Sequence, residues 1–301
     1  MPELPEVETV KRGLNQVSRN QTIQGGEVLL KRTLAHPVSI DEFITGLSGQ
    51  AIAGWYRRGK YLLAEFSTQF NPNSDDSQNL EFSDLQTFSN GGLAVHLRMT
   101  GQLLWVSQDE PLSKHTRVRL FFPNRQELRF VDQRTFGQMW GIPPNVEVSK
   151  IVTGLQKLGH EPFSEEFSIK YLTTQFYRRQ RPIKTALLDQ KLVAGVGNIY
   201  ADETLFLSGI SPTTRCAELT PAQIETLHAQ LVQVLKTAID AGGTTVRNFL
   251  NVAGVNGNYA GQAWVYNRAG QPCRVCQTPI ERLKLAGRSA HFCPRCQKTS
   301  N

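Results

Sequence analysis

Four cysteines near the end of the chain restrict its fold more than any other feature. Two residues separate Cys273 from Cys276 and Cys293 from Cys296, and sixteen lie between the pairs. Each pair offers two thiolates, and two such knuckles close a tetrahedron around one ion, so the spacing predicts a structural zinc site on a β-hairpin finger. With four sulfur ligands the ion has no open position for water, so it shapes the chain and does not catalyse. Paired cysteines in a chain of this length point to metal in a reducing compartment, not to a disulfide scaffold, and the remaining Cys216 reads as an inert buried thiol. Residues 268–298 also carry Arg268, Arg274, Arg282, Lys284, Arg288, Arg295 and Lys298 against a single acid, Glu281, a balance suited to phosphate. Arg288, at the expected hairpin tip, is the candidate contact; taken alone it reads equally well as a solvated charge.

At 301 residues and 40% hydrophobic composition the chain has room for two cored domains. No apolar run approaches the roughly 18 residues of a membrane span, and the start of the chain lacks the apolar stretch of a secretory signal. A soluble, cytoplasmic protein is expected. The net charge of +7 suggests a polyanionic partner, with nucleic acid the first choice, although ribosome-associated and anionic-membrane proteins share this balance.

The first half is mostly β. Strands are expected at 22–32, 50–56, 60–66, 92–97, 102–106, 117–122 and 127–131, with Asp41 capping a short helix at 42–47. Residues 67–90 contain no lysine or arginine and four acids, so they read as a polar loop that points away from nucleic acid. Around Gly141-Ile142-Pro143-Pro144-Asn145 prolines interrupt the strands and helical periodicity takes over. Helices are expected at 150–158, 164–178, 183–190, 199–207 and 221–241, the last with Ile224, Leu227, Leu231, Leu235 and Ala238 on one face. The fold class is therefore α+β: an N-terminal β-sandwich, then a helical domain ending in the finger.

At the amino end, Pro2 and Pro5 suit the first turn of a helix, and Val7, Val10 and Leu14 give it an apolar face. If Met1 is removed, Pro2 carries a free secondary amine at the positive end of the helix dipole. An α-amine starts near pKa 8, and this setting disfavours the ammonium, so a neutral nucleophile able to form a Schiff base is available. Glu3 and Glu6, three apart, fall on one helical face beside it and can move protons. The plain alternative is a capped, solvated helix start. Gly195-Val196-Gly197-Asn198, between two expected helices, can hold a phosphate on backbone amides or can simply be a tight turn.

Six blocks in order, MPELPEVE, RRGKYLL at 57–63, HLRMTG at 96–101, QRTFG at 133–137, KLVAGVGNIYADE at 191–203 and CRVC with FCPRC, resemble formamidopyrimidine-DNA glycosylase, the bacterial base-excision enzyme family for oxidised purines. The resemblance covers nearly the whole chain. It implies a catalytic β-sandwich domain at 1–142 with an N-terminal helix, a linker at 143–149, a helix-two-turns-helix DNA-binding domain at 150–262 and the zinc finger at 263–301. It further implies that Pro2 is the nucleophile, Glu3 the proton-transfer group, Glu6 a pocket residue and Lys60 a group near the lesion and its phosphate. His96, His115, Asn198 and Arg288 would contact DNA, while Met99, Arg134 and Phe136 would fill the gap left by a flipped nucleotide, with Arg134 facing the orphaned cytosine. Thr244, Thr245 and Arg247 fall in the stretch that closes over the flipped base. The implied activity is a bifunctional glycosylase and AP lyase acting as a monomer on duplex DNA that holds an oxidised purine opposite cytosine, with one structural zinc and no small-molecule cofactor, at work on the nucleoid.

Three departures stand out: the acidic stretch at 67–90 is longer than the expected turn, Arg98 stands where glycine is common, and Thr135 stands where a basic residue is frequent. An endonuclease VIII-like enzyme for oxidised pyrimidines shares Pro2 and Glu3 but fits the LPEVE opening and the Met-Arg-Phe trio less well. A zinc-finger protein that senses damage without cutting, or a zinc-ribbon RNA partner, leaves the amino-terminal block unexplained.

Overall fold

The computed structural model describes residues 1–67, 87–244, 252, 254 and 257–298. Most of the acidic loop expected at 67–90, namely 68–86, therefore lies outside the described residues, as do Thr245 and Arg247. The chain divides into two compact units, Met1–Lys157 with Gly242–Gly257, and Leu158–Ala241 with Asn258–Asn301. The first unit thus runs past 143–149 to Lys157 and takes in a later segment.

In the first unit, α1 (Leu4–Ser18) buries Leu4, Val7, Val10 and Leu14, the face set by the sequence period. It docks on β3 (Ala51–Arg58) through a side-chain amide. Asn15 Nδ2 donates to the Trp55 carbonyl at 2.9 Å and Asn15 Oδ1 accepts the Trp55 amide N–H at 2.8 Å, so one helical residue satisfies the strand backbone as a neighbouring strand would. The Trp55 indole donates to Ser18 Oγ at 3.0 Å, which fixes the other end of the helix.

Five strands pair in the order β2 (Leu34–His36), β9 (Gln138–Ile142), β5 (Gly92–His96), β4 (Tyr61–Ser67) and β3, all antiparallel except β2 with β9. Four more pair antiparallel in the order β1 (Gly25–Val28), β7 (Thr116–Phe121), β8 (Gln126–Asp132) and β6 (Gly101–Ser107). Leu62, Ala64, Leu93 and Val95 from one sheet share a core with Val118, Leu120, Leu128 and Phe130 from the other, which makes the expected sandwich. Each such buried aliphatic or aromatic side chain contributes roughly 1.5–3 kcal/mol.

In the first unit three details differ from the sequence expectation. The strand expected at 22–32 is only β1 followed by a 3-10 turn at Lys31–Thr33, and β2 and β9 were not foreseen. The short helix α2 (Ile40–Leu47) is capped by Ser39, not Asp41, with Ser39 Oγ accepting the Glu42 N–H at 3.3 Å. The helix expected at 150–158 is a single turn, α3 (Val148–Ile151), and a 3-10 turn at Leu155–Lys157.

The second unit is helical. Its first helix, α4 (Ile169–Phe176), is shorter than the expected 164–178 because Ser168 caps it, accepting the Tyr171 N–H at 3.2 Å. Two shorter helices follow, α5 (Ile183–Leu187) and α6 (Asn198–Leu207). A reciprocal capping box starts α7 (Pro221–Asp240): Gln223 N–H donates to Thr220 Oγ1 at 3.3 Å and Thr220 N–H to Gln223 Oε1 at 2.9 Å, with Pro221 in the first turn. Ile224, Leu227, Leu231, Leu235 and Ala238 are buried as its periodicity requires. The hairpin β10 (Glu281–Leu285) and β11 (Arg288–Phe292) turns through Ala286 and Gly287, both with positive φ. Among the described residues no helix is long and apolar enough to cross a membrane.

Glu8 joins α1 to β3 and sets a pH limit on the first unit. Burial alone would raise its pKa, but Arg57 at 2.9 Å and Lys11 at 2.9 Å hold the carboxyl at about 2, against an ordinary value of 4.5. A depressed folded-state pKa stabilises fully above the unfolded value and is lost as pH falls from about 4.5 towards about 2. Glu8→Gln is expected to cost on the order of 2–3 kcal/mol at neutral pH and to flatten the acid limb of stability over that window, measured by urea titration at stepped pH.

Candidate functional site

The N-terminal helix presents its first carboxylates inward: Glu3 and Glu6 are each 2% exposed, and Pro2 is buried behind Met1. Glu6 makes two short backbone bonds. Its Oε2 accepts the Glu3 N–H at 2.7 Å and its Oε1 accepts the Thr244 N–H at 2.7 Å, so one side chain caps the helix and holds a residue from the later segment. Gly243 precedes that contact with φ +78, and a Cβ there would lie 3.0 Å from Glu6 Oε1, so the approach needs glycine. Burial lowers the pKa of the Met1 α-amine below its ordinary value of 8.0; Glu3 and Glu6 act to raise it, Lys60 and Arg134 to lower it further. Four of the charged groups singled out from the sequence thus act on one amine. For this amine burial is the largest cause, whereas the helix dipole was the cause expected for the Pro2 amine.

Lys60 follows Gly59 in the two-residue turn between β3 and β4, where Arg58 pairs with Tyr61, and it is buried at 7% exposure. It is not the solvated strand-end charge that its type alone suggests. His96 closes β5, and its Nδ1 accepts the Arg98 N–H at 3.0 Å while the Tyr61 ring packs edge-on at 4.5 Å between centroids. Burial pushes its pKa down to about 3, helped by Arg98 and Lys60. The imidazole is therefore neutral near pH 7, and with Nδ1 accepting, its proton sits on Nε2, where it can be donated.

Met99 lies in the loop before β6, and Arg134 and Phe136 in the loop after β8. Phe136 is 52% exposed, and the Arg134 guanidinium lies over its ring at 4.9 Å. Arg98, in the position where glycine is common, has φ 54, and Thr135 has φ 58; both loops hold a left-handed residue. His115 precedes β7 and is half-buried, with Nδ1 3.3 Å from an Arg117 guanidinium nitrogen.

In the second unit, Asn198 opens α6 after a turn in which Gly195 has φ +86. Gln190, which the sequence reading passed over, staples that turn by accepting the Gly195 N–H at 3.0 Å and donating to the Val196 carbonyl at 2.8 Å. Asn198 Oδ1 is buried without a hydrogen-bond partner among the described residues. Arg288 is exposed at the first position of β11, beside the turn, as expected. A buried ion pair, also unforeseen, supports that strand: Lys184 Nζ lies 2.5 Å from Asp202 Oδ1 and 2.5 Å from the Ser289 carbonyl, and Asp202 Oδ2 accepts the His291 N–H at 3.0 Å. Cys216 is buried, and burial raises its thiol to about 11, which makes it inert.

The four finger sulfurs all lie within 4.8 Å of one another, with Cys273–Cys296 at 3.9 Å and Cys276–Cys293 at 3.4 Å. A tetrahedron of Zn–S bonds has edges of about 3.8 Å, and the Val275 and Cys296 N–H groups point at Cys273 and Cys293 sulfurs at 3.4 Å, as thiolates require. The donor set and spacing fit one zinc ion.

Comparison with known proteins agrees with this arrangement. Family models match for the formamidopyrimidine-DNA glycosylase N-terminal domain at residues 1–139, the formamidopyrimidine-DNA glycosylase H2TH domain at 158–250 and a zinc finger found in FPG and IleRS at 270–299. The formamidopyrimidine-DNA glycosylase of Trichodesmium erythraeum is 63% identical over 309 aligned positions, covering 99% of this chain and all of that protein. Lactococcus lactis Fpg in complex with DNA containing an abasic site superposes with a TM-score of 0.84 at 33% identity, over 99% of this chain and 100% of the other. The complex of the wild-type Lactococcus lactis enzyme with DNA containing N7-benzyl-Fapy-dG gives 0.84 at 32% identity with the same coverage. The chain belongs to the formamidopyrimidine-DNA glycosylase family.

Proposed function

We propose that, with Met1 removed, the Pro2 amine attacks C1′ of an oxidised purine nucleotide, 8-oxoguanine or a formamidopyrimidine, flipped out of duplex DNA. Members of the family are DNA glycosylases of base-excision repair and carry AP lyase activity. The observation that carries the residue assignment is the buried start of the chain: Pro2, Glu3, Glu6 and Lys60 are all buried, and Glu3, Glu6 and Lys60 act on the amine of Met1, the residue whose removal bares the Pro2 nitrogen. Desolvation favours a neutral Pro2 amine, whose lone pair forms the N–C1′ bond as the C1′–base bond breaks; the base leaves with the electrons of that broken bond and takes up a proton, and the new ammonium gives up its own. Glu3 passes a proton to O4′ as the sugar ring opens, which leaves an iminium at C1′. The iminium withdraws electrons from C2′; loss of a C2′ proton expels the 3′ phosphate, and a second elimination expels the 5′ phosphate. Glu6 holds the amine's backbone in place.

The DNA contacts are assigned on the same reading. Lys60 takes the lesion-side phosphate. The His96 Nε2–H, the Asn198 amide, His115 and Arg288 take flanking phosphates, and Thr244, with Thr245 and Arg247 beyond it, belongs to the segment over the flipped base. Met99 and Phe136 fill the vacated stack, and Arg134 donates to the orphaned cytosine, because an emptied stack is occupied at lower cost by an apolar wedge and a guanidinium than by water. A net charge of +7 retains the protein on chromosomal DNA, in the nucleoid, between lesions. When bound, zinc supplies only the fold of the finger, through Cys273, Cys276, Cys293 and Cys296.

Borohydride trapping on a duplex with one 8-oxoguanine opposite cytosine is expected to give a covalent adduct on a peptide that begins at Pro2. An adduct on a lysine, or none from zinc-loaded protein on this or an oxidised-pyrimidine duplex, overturns the assignment. Glu3→Gln is expected to lower single-turnover excision by about 10²–10⁴-fold with duplex affinity retained. Chelation is expected to release one zinc per chain and melt the hairpin, and Arg288→Ala to lower the slope of log affinity against log salt by about one with zinc still bound.

A further inference from the structure

Asp132, at the end of β8, is 1% exposed and sits where three segments of the first unit meet. Its Oδ1 accepts the Thr100 hydroxyl and, at 3.2 Å, the Arg134 N–H; its Oδ2 accepts the Gly137 N–H at 2.7 Å. The Arg134 N–H is shared with Thr100 Oγ1 at 3.0 Å, so carboxylate, hydroxyl and amide form a closed triangle. The backbone of Asp132 reaches the third segment: its N–H donates to the His115 carbonyl at 2.9 Å and its carbonyl accepts Arg117 Nε at 2.9 Å. One buried residue therefore ties the loop bearing Met99 and the loop bearing Arg134 and Phe136 through its carboxylate, and the start of the strand that follows His115 through its backbone.

The two loops need such a tie. Each contains a non-glycine residue in the left-handed region, Arg98 and Thr135, a conformation that persists only where the surroundings over-determine it. Gly137 adds a steric limit, since a Cβ there would lie 2.4 Å from Phe130 Cζ, so the chain leaves the loop along one path. Both Asp132 oxygens are occupied by donors from the loops, and among the described residues the Arg134 guanidinium makes no hydrogen bond, only the contact over Phe136. The backbone is held while the side chain stays available.

We propose that Asp132 is the positioning residue for opposite-base recognition: by bonding Thr100, Arg134 and Gly137 together it presents Met99, Arg134 and Phe136 as one preformed wedge. This rests on the assignment of those three residues to the vacated stack. The carboxylate itself touches no DNA and takes no part in the covalent steps.

The test compares Asp132→Asn and Thr100→Val with Arg134→Ala in the full-length zinc-loaded protein. Single-turnover excision of 8-oxoguanine is measured opposite cytosine and opposite adenine, and borohydride trapping on a preformed abasic site reports the amine chemistry alone. Asparagine keeps the size of Asp132 but turns an NH2 group towards an N–H donor. The expected result for Asp132→Asn is trapping close to the parent with the cytosine-over-adenine preference reduced about tenfold, since small misplacement of contact groups is costly. Thr100→Val, which breaks only the link between the loops, is expected to shift the preference in the same direction by less. Parental preference in both variants, while Arg134→Ala loses it, overturns the role of Asp132. Loss of trapping in step with excision by Asp132→Asn, with Thr100→Val unchanged, also overturns it and makes the residue merely structural. Parental preference in Arg134→Ala overturns the wedge assignment instead.

Discussion

The pair of bonds made by Glu6 is what the amino-terminal site depends on. A carboxylate at 2% exposure has to find donors, and here both are backbone amides at 2.7 Å, Glu3 N–H on its own helix and Thr244 N–H on a segment far along the chain. The first fixes where the chain begins relative to the helix; the second fixes a later loop against that beginning. Glycine at 243 follows from the closeness of this approach. The far end of the helix is held by other means, Asn15 and Ser18 on Trp55, so the start of the chain, usually its most mobile part, is set between two anchors.

Much of this was legible in the sequence because it is local. The period of Val7, Val10 and Leu14 gave the buried face of α1, the spacing of Glu3 and Glu6 put both acids at one end of it, and the cysteine spacing alone specified the sulfur cluster. Strands with clean alternation were found to within one or two residues. Those that were missed are short and held by their neighbours: β2 has three residues and a parallel partner, and β9 follows directly on the QRTFG block, whose loop character masked a strand lying between β2 and β5. Two helix starts differ because a serine makes the cap: Ser39, two positions before Asp41, and Ser168, four positions after the expected start.

The supporting residues of the site were not legible, and the reason is distance along the chain. Thr244 bonds across 238 positions to Glu6, and Thr100 bonds across 32 to Asp132. No periodicity reports such pairs. Glu8 could be seen to face Arg12 on a helix, yet its strongest restraint comes from Arg57 on a strand. Nor does the sequence show that Lys60 is buried, since burial at a turn is decided by what packs over it. Arg98 stood out as a departure from a common glycine; its backbone shows that the position demands a left-handed residue, which glycine supplies without strain and arginine does not.

Helix α6 has one more effect on the finger. Next to Asp202, Glu203 is fully buried and accepts three successive N–H groups at the foot of the finger, from Trp264 at 2.7 Å, Val265 at 3.0 Å and Tyr266 at 2.9 Å, while Asp202 holds His291 on the returning strand. The segment that leads into the finger and its returning strand are thus tethered to adjacent residues of one helix. A free peptide with the same cysteines must lose the entropy of closing its loop when it binds an ion. Here the contacts made by α6 offset part of that cost, so the finger draws part of its metal affinity from a helix that never touches the metal.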